Sequence, residues 1–183
     1  NSLTKSGEYD WVFAMNQSAK GWVLETICSH IEAVAEGSSK FVYTNSNSKY
    51  TNGLPRANNY WFAHFNQLVA ALRTKDFVRD SNLYVWFTHF KETRTTDDEL
   101  VASLNSCSLI FCTCTDVLLK LSAMGVRNEL LRCYIGGANP NCKKLSSRCG
   151  KTVGISSGFY PRKNPNLILE VIRLMPGTKF ILL

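Results

Sequence analysis

Lys151-Thr152-Val153-Gly154-Ile155-Ser156-Ser157-Gly158-Phe159-Tyr160-Pro161-Arg162-Lys163-Asn164-Pro165 is the stretch that decides the fold. Val153 to Ile155 reads as a short buried strand that stops at Ser156-Ser157-Gly158. A loop carrying Arg162 and Lys163 follows. Asn164-Pro165 then supplies an N-cap and a first helical residue, because an Asn side chain can accept from free amides and proline lacks the N–H that would be unpaired there. Ile168, Val171, Ile172 and Met175 recur at helical spacing, Pro176-Gly177 ends the helix, and Lys179 to Leu183 reads as a second apolar strand. A strand, a helix and a second strand joined in this way form a parallel crossover unit. Two cations on its loop and free amides at its helix start suit a phosphate, though the same cations could equally be solvated.

Upstream the same alternation repeats. Tyr9 to Met15 is a first, fully buried strand, and Asn16 to Gly21 a polar turn. Trp22 begins a helix whose Val23, Ile27, Ile31 and Val34 share a face, and Gly37 stops it. Phe41 to Thr44 is the second strand, Asn45 to Asn59 a surface loop, and Tyr60 to Phe65 an aromatic strand leading through Asn66 into a helix over Leu68, Val69 and Leu72. Leu83 to Thr88, Cys107 to Cys112 and Leu130 to Ile135 are further strands. Between them lie a charged loop at Lys91 to Asp98, a helix through Leu100 and Leu104, and another through Leu118 and Leu121 that closes at Gly125. The expectation is an α/β protein with a Rossmann-like, doubly wound parallel sheet. Asn141 to Gly150 reads as a basic linker, which divides the chain into residues 1–150 and 151–183.

The chain has 183 residues and a formal net charge of +7, with Lys143, Lys144, Arg148, Lys151, Arg162, Lys163 and Arg173 crowded near its end. Such a balance favours polyanions, anionic lipid headgroups or phosphorylated small molecules. No zinc finger, aromatic RNA-binding signature or basic zipper accompanies it, so no specific nucleic-acid partner is expected. No apolar run approaches the roughly 20 residues of a membrane-spanning helix. Seven cysteines without paired CxxC spacing fit reduced, mostly buried thiols in a cytoplasmic protein, with no metal site. A nicotinamide-dependent oxidoreductase is disfavoured, because no G-x-G-x-x-G follows the first strand.

His64 and His89 both fall at the carboxyl ends of expected strands, the edge at which open α/β sheets collect ligands. Gly21 closes the first strand–helix turn, where backbone amides could meet an anion. His30 lies inside the first helix and reads as structural.

Taken in order, these motifs resemble those of retaining nucleotide-sugar glycosyltransferases of the GT-B fold, the large group 1 (family 4) set in particular. The resemblance rests on Val153 to Pro165 with Leu167-Ile168-Leu169-Glu170 and Lys179 to Leu183, on Phe62-Ala63-His64, on Trp86-Phe87-Thr88-His89, and on Gly136-Gly137-Ala138-Asn139. It implies that residues 1–150 form the N-terminal, acceptor-side domain and that 151–183 are the first β-α-β of a truncated C-terminal donor-binding domain. It further implies transfer of a hexosyl-type sugar, with retention, from a nucleotide sugar to a glycan, glycolipid or small hydroxylated acceptor, without metal or cofactor. Lys163 sits where the family's lysine grips the donor diphosphate, Arg162 neighbours it, and the family's arginine position falls on Gly158. His89 and Lys163 are thereby expected to be catalytic. His64, Gly21 and Thr88 are expected on the acceptor side, and Lys163, Arg162 and Gly158 on the donor phosphate. Peripheral association with an anionic membrane is a further expectation. Because the family's later acidic residues are absent, the isolated chain is expected to show no turnover. The competing expectation is a non-catalytic polyanion- or glycan-binding module.

Overall fold

The computed structural model describes residues 7–47, 49–50, 52–90, 95–134, 152–155 and 164–182. The chain divides into two compact units, Asn1–Gly137 and Ala138–Leu183.

The first unit is a six-stranded, wholly parallel sheet. Its strands are β1 (Tyr9–Asn16), β2 (Ser39–Thr44), β3 (Ala57–Phe62), β4 (Asn82–Phe87), β5 (Leu109–Cys112) and β6 (Leu131–Cys133), in the order β2-β1-β3-β4-β5-β6. Four helices accompany them: α1 (Val23–Glu32), α2 (Phe65–Thr74), α3 (Asp97–Leu104) and α4 (Thr115–Ala123). The chain steps outward from β1 to β2, returns past β1 to β3, and then moves steadily the other way. Crossovers between parallel strands keep one hand, so reversing the direction of travel moves the helices to the opposite face. The two cores show this. Val12, Tyr60, Phe62, Leu83, Val85, Phe87 and Ile110 pack with residues of α2, α3 and α4. Phe13, Met15, Trp61 and Trp86 pack with α1 through Leu24, Ile27, Cys28 and Ile31. Each interior strand is thus apolar on both faces, as a sheet covered on both sides requires. The doubly wound α/β architecture expected from the alternation is what the chain adopts.

Several boundaries differ from expectation for local reasons. β3 begins at Ala57, inside the expected loop, because its polar residues are paired across the sheet. Asn59 Nδ2 donates to the Asp10 carbonyl (3.0 Å), Asn58 Nδ2 to Asp10 Oδ1 (3.2 Å), and Asn82 Nδ2 to Asn59 Oδ1 (3.0 Å). It also ends at Phe62, so Ala63 and His64 are past the strand. α1 starts at Val23 with Trp22 as its cap and stops at Glu32, which leaves Val34 outside the helix and 81 % exposed rather than on its apolar face. β4 ends one residue before Thr88, and β5 starts at Leu109 rather than Cys107. A 3-10 turn over Asn128–Leu130 shortens β6, an edge strand; Ile135 lies outside the described residues. The expected C′ glycine of α4 is present, Gly125 at φ +103° after the C-cap Met124.

In the second unit, β7 (Thr152–Ile155) pairs in parallel with β8 (Lys179–Leu182), and α5 (Pro165–Leu174) connects them. Asn164 caps α5, its Oδ1 accepting from the Leu167 N–H at 3.4 Å, and Pro165 follows at the first helical position. The strand–helix–strand order expected of this stretch is present, but β7 is not the buried strand expected: Val153 is 39 % exposed and no described residue of α5 is buried. Among the described residues no helix is long and apolar enough to cross a membrane, and no group of three or more His, Cys, Asp or Glu is placed to hold a metal ion.

Candidate functional site

The order β2-β1-β3 makes the β1/β3 boundary the switch point of the sheet. There the two connections leave in opposite directions, and a crevice opens outside the strand carboxyl ends. A cavity of about 500 Å³ lies there, lined by Asn16 at the end of β1 and Ser18 after it, by Trp22 to Leu24 at the start of α1, by Ser46 after β2, by Ala63, His64, Asn66 and Gln67 after β3, and by His89 after β4. The volume is within the ordinary range for small-molecule sites.

The two histidines singled out in the sequence meet here. Their ring centroids lie 5.6 Å apart in a T-shaped arrangement. His64, extended at φ −156° and ψ 151°, is the N-cap of α2, and its Nδ1 accepts from the Asn66 N–H at 3.3 Å. With Nδ1 accepting, the proton of the neutral ring resides on Nε2. Phe65, 4.4 Å away between ring centroids, packs on the same imidazole. His89 is held through Nδ1, 2.9 Å from Thr88 Oγ1. Thr88 is held in turn, its carbonyl accepting from Thr113 Oγ1 at 2.9 Å. Thr88 is not a lining residue; it orients His89 rather than touching the cavity.

At Gly21 the amide expected to meet an anion is engaged within the chain. Its N–H donates to Glu25 Oε2 at 2.6 Å, and Glu25 Oε1 accepts from the Tyr43 hydroxyl at 2.5 Å. The chain's own carboxylate therefore stands in the place of an incoming anion at the start of α1. The Gly21 N–H, then the Tyr43 hydroxyl, hold the Glu25 carboxyl below its usual value. Burial, then Glu25, push the Tyr43 phenol up to about 12. Gly21 does not line the cavity.

Several contributors were not identified from the sequence. Asn16 ends β1 and caps the turn, its Oδ1 accepting from the Ser18 N–H (2.9 Å) and hydroxyl (2.8 Å) while its Nδ2 donates to the Asn45 carbonyl (2.9 Å). Trp22 stands on the rim, 71 % exposed, an indole face with no core to fill. Gln67 is the most unusual. It is only 3 % exposed; its Nε2 donates to Thr44 Oγ1 at 3.3 Å, and its Oε1 is buried without a hydrogen-bond partner. A buried acceptor left in that state costs about 1–3 kcal/mol. A signal for Gln67 did exist: it stands four residues before the fully buried Ala71, which puts an amide on the core-facing stripe of α2.

The described lining residues include no Asp, Glu, Lys or Arg. The wall offers amide, hydroxyl and imidazole groups, both donors and acceptors, beside one exposed indole. That composition suits a neutral polyhydroxylated ligand better than a phosphate, which would seek formal positive charge. The expected phosphate-binding residues Gly158, Arg162 and Lys163 lie outside the described residues, as do the charged loop at 91–94, the segment Gly136–Pro140 and the linker 141–150.

No protein-family model matches this chain, and no curated protein or solved structure matches it.

Proposed function

We propose that the protein is a sugar-transferring enzyme, or part of one, that uses a nucleotide-sugar donor. The observation that carries the reading is the uncharged, hydrogen-bonding cavity at the sheet's switch point, with His64 and His89 side by side in its wall. Sugar hydroxyls are neutral and each can donate and accept. Asn16, Ser18, Ser46, His64, Asn66 and His89 supply complementary groups. The exposed face of Trp22 gives a pyranose ring an apolar surface to stack on.

In this reading the acceptor hydroxyl is positioned by the two imidazoles. Its oxygen bonds to the anomeric carbon as the bond from that carbon to the donor diphosphate breaks, and the diphosphate leaves with the electron pair. Neutralising that departing charge is the kind of electrostatic term that dominates many transfer reactions, and the family resemblance assigns it to Lys163 and Arg162. The hydroxyl proton ends on the diphosphate oxygen. His89 is the residue closest in role to catalysis, and Thr88 is a positioning residue behind it.

Nuclear magnetic resonance of the full chain with mono- and disaccharides, followed by calorimetry with uridine- and guanosine-diphosphate sugars, tests the proposal. Saturable saccharide shifts at the rings of His64 and His89 but not His30 are expected, with dissociation constants on the order of millimolar for a few exposed hydrogen bonds. Nucleotide-sugar binding weakened by Lys163→Ala is expected as well. Absence of saccharide shifts at both rings would sink the reading.

A second reading, a non-catalytic glycan-binding module, is favoured by one feature: the Trp22 platform and neutral cavity need no donor site to hold a glycan. Saccharide binding without any selectivity for nucleotide sugars selects it. Steeply salt-dependent binding of heparin without saccharide shifts instead marks a polyanion binder.

A further inference from the structure

Three cysteines gather where β5 and β6 end. Cys112 closes β5, Cys133 closes β6, and the two are direct register partners in the parallel pair. Cys114 follows two residues after Cys112, as the cap of α4. Register partners on parallel strands send their side chains to the same face of the sheet. Here that face is the one packed with α2, α3 and α4. Ile110, Cys112 and Leu131 all belong to its core, and side chains alternate along β6, so Cys133 shares the face of Leu131. The Tyr134 N–H donates to the Cys112 carbonyl at 2.8 Å, which carries the backbone pairing one residue past the two thiols.

Neighbouring strands run about 4.8 Å apart, and a disulfide spans Cα separations of roughly 4.4–6.8 Å, so register partners fall within bridging range. Cys114 does not: two residues further along an extended chain puts its Cα about 8 Å from that of Cys133. β6 is three residues long and, among the described residues, has no strand on its outer side, so it can make the small shift that closes a bridge. The two thiols differ in access. Cys133 is exposed and Cys112 is fully buried. Burial, then the neighbouring sulfurs of Cys133 and Cys114, push the Cys112 thiol up to about 11. An oxidant in solution therefore meets Cys133 first, while Cys112 stays protonated behind it.

We propose that Cys133 and Cys112 form a peroxide-responsive thiol pair, in which Cys133 is the residue oxidised and Cys112 the one that resolves it to a disulfide. The Cys133 thiolate attacks one oxygen of hydrogen peroxide. The S–O bond forms as the O–O bond breaks, and the leaving hydroxide takes up the proton that the thiol gave, forming water. The Cys112 sulfur then attacks the sulfenic sulfur of Cys133. The S–S bond forms as the S–O bond breaks, and the hydroxide leaves as water with the Cys112 proton. In sum two thiols lose two electrons and two protons, and one peroxide becomes two waters. The bridge staples the edge strand β6 to β5 across the turn of chain that holds α4, and a dithiol reductant reverses it. It does not depend on the sugar-transfer reading.

The test uses the full chain, fully reduced, then treated with hydrogen peroxide under native conditions at pH near 8. Remaining thiols are alkylated and the peptides are mapped by mass spectrometry. The expected product is a pair of peptides joined through Cys112 and Cys133, lighter by two hydrogens than their sum and separated again by dithiothreitol. Cys133→Ser is expected to abolish it. Cys112→Ser is expected to abolish it too, and to leave Cys133 as a sulfenic acid that dimedone labels. Cys114→Ser is expected to leave the bridge unchanged. A bridge from Cys133 to any other cysteine, a bridge between two chains, or a Cys133 that stays unbridged in the unsubstituted chain each overturn the proposal. So does a Cys112–Cys133 bridge that forms only in urea. Because the mapping is made on the unsubstituted chain, it remains decisive even if Cys112→Ser fails to fold.

Discussion

Replacing Gln67 with methionine should stabilise the protein. The two residues have similar length and nearly equal helix propensity, so neither volume nor helix formation in α2 changes much. Removing Oε1 relieves a buried acceptor that has no partner, worth about 1–3 kcal/mol. Removing Nε2 sacrifices its 3.3 Å donation to Thr44 Oγ1, a long bond at the weak end of the range, about 0.5 kcal/mol. The Thr44 hydroxyl keeps its 3.5 Å contact with the Met15 carbonyl. The net gain is about 1 kcal/mol, equivalent to a rise of roughly 2–4 °C in Tm for a chain of this size. Urea unfolding and calorimetry read the stability. A loss of 1 kcal/mol or more in Gln67→Met would show that Oε1 is satisfied in the folded protein, and the argument built on it would fall.

Three other expectations concern the rest of the first unit. Gly37 has φ +97°, and an added Cβ would approach Asp10 Cγ to 2.6 Å and Cβ to 2.7 Å, displacing a carboxylate that accepts from the Ser38 N–H and hydroxyl. Gly37→Ala should therefore cost about 2 kcal/mol or more, against about 1 kcal/mol for Gly53→Ala, where φ is +76° but the space is open; equal urea midpoints for the two variants would refute the clash. The backbone N–H of Ser38, then its hydroxyl, hold the Asp10 carboxyl below its usual value, the Gly21 N–H does the same for Glu25, and the Arg73 guanidinium does so for Glu99. Depressed carboxyls contribute stability that is complete above the ordinary carboxyl range of about 4 and is lost as pH falls through the lower folded values. Melting temperature should consequently drop below about pH 4, and less steeply in Asp10→Asn; parallel profiles would contradict this. Burial pushes the Cys28 thiol to about 12, the Cys112 thiol to about 11, and Cys107 upward as well, whereas Cys114 and Cys133 are exposed. A thiol reagent at pH near 8 should modify Cys114 and Cys133 quickly and leave the other three until unfolding; rapid reaction of Cys28, Cys107 or Cys112 in the native protein is the contrary result.

Much of the architecture was legible because it is written in local terms. Strands over Tyr9–Asn16 and Asn82–Phe87 are short apolar runs between polar turns, and Asn164-Pro165 and Gly125 are punctuation whose physics depends on one or two residues. Where the reading slipped, the deciding partner was distant. The residues Asn58 and Asn59 look like loop until their amides meet Asp10, and Val34 fits a helical face that the chain leaves after Glu32. The histidines were found because strand carboxyl ends are visible in sequence. The fate of Gly21 was not, since the carboxylate that occupies its amide belongs to the helix the turn introduces.

Alternating apolar segments, taken alone, determined that this chain builds a layered α/β unit, and that His64 and His89 belong to its ligand-collecting edge. A parallel sheet is the economical way to bury such segments on both faces. Strand order, by contrast, is a choice among global arrangements of equal local merit. Only the tertiary structure decided that β1 lies between β2 and β3, which opens the crevice at Asn16 and Ala63, buries Gln67 with an unpaired oxygen, and packs α1 over the face that carries Trp61 and Trp86.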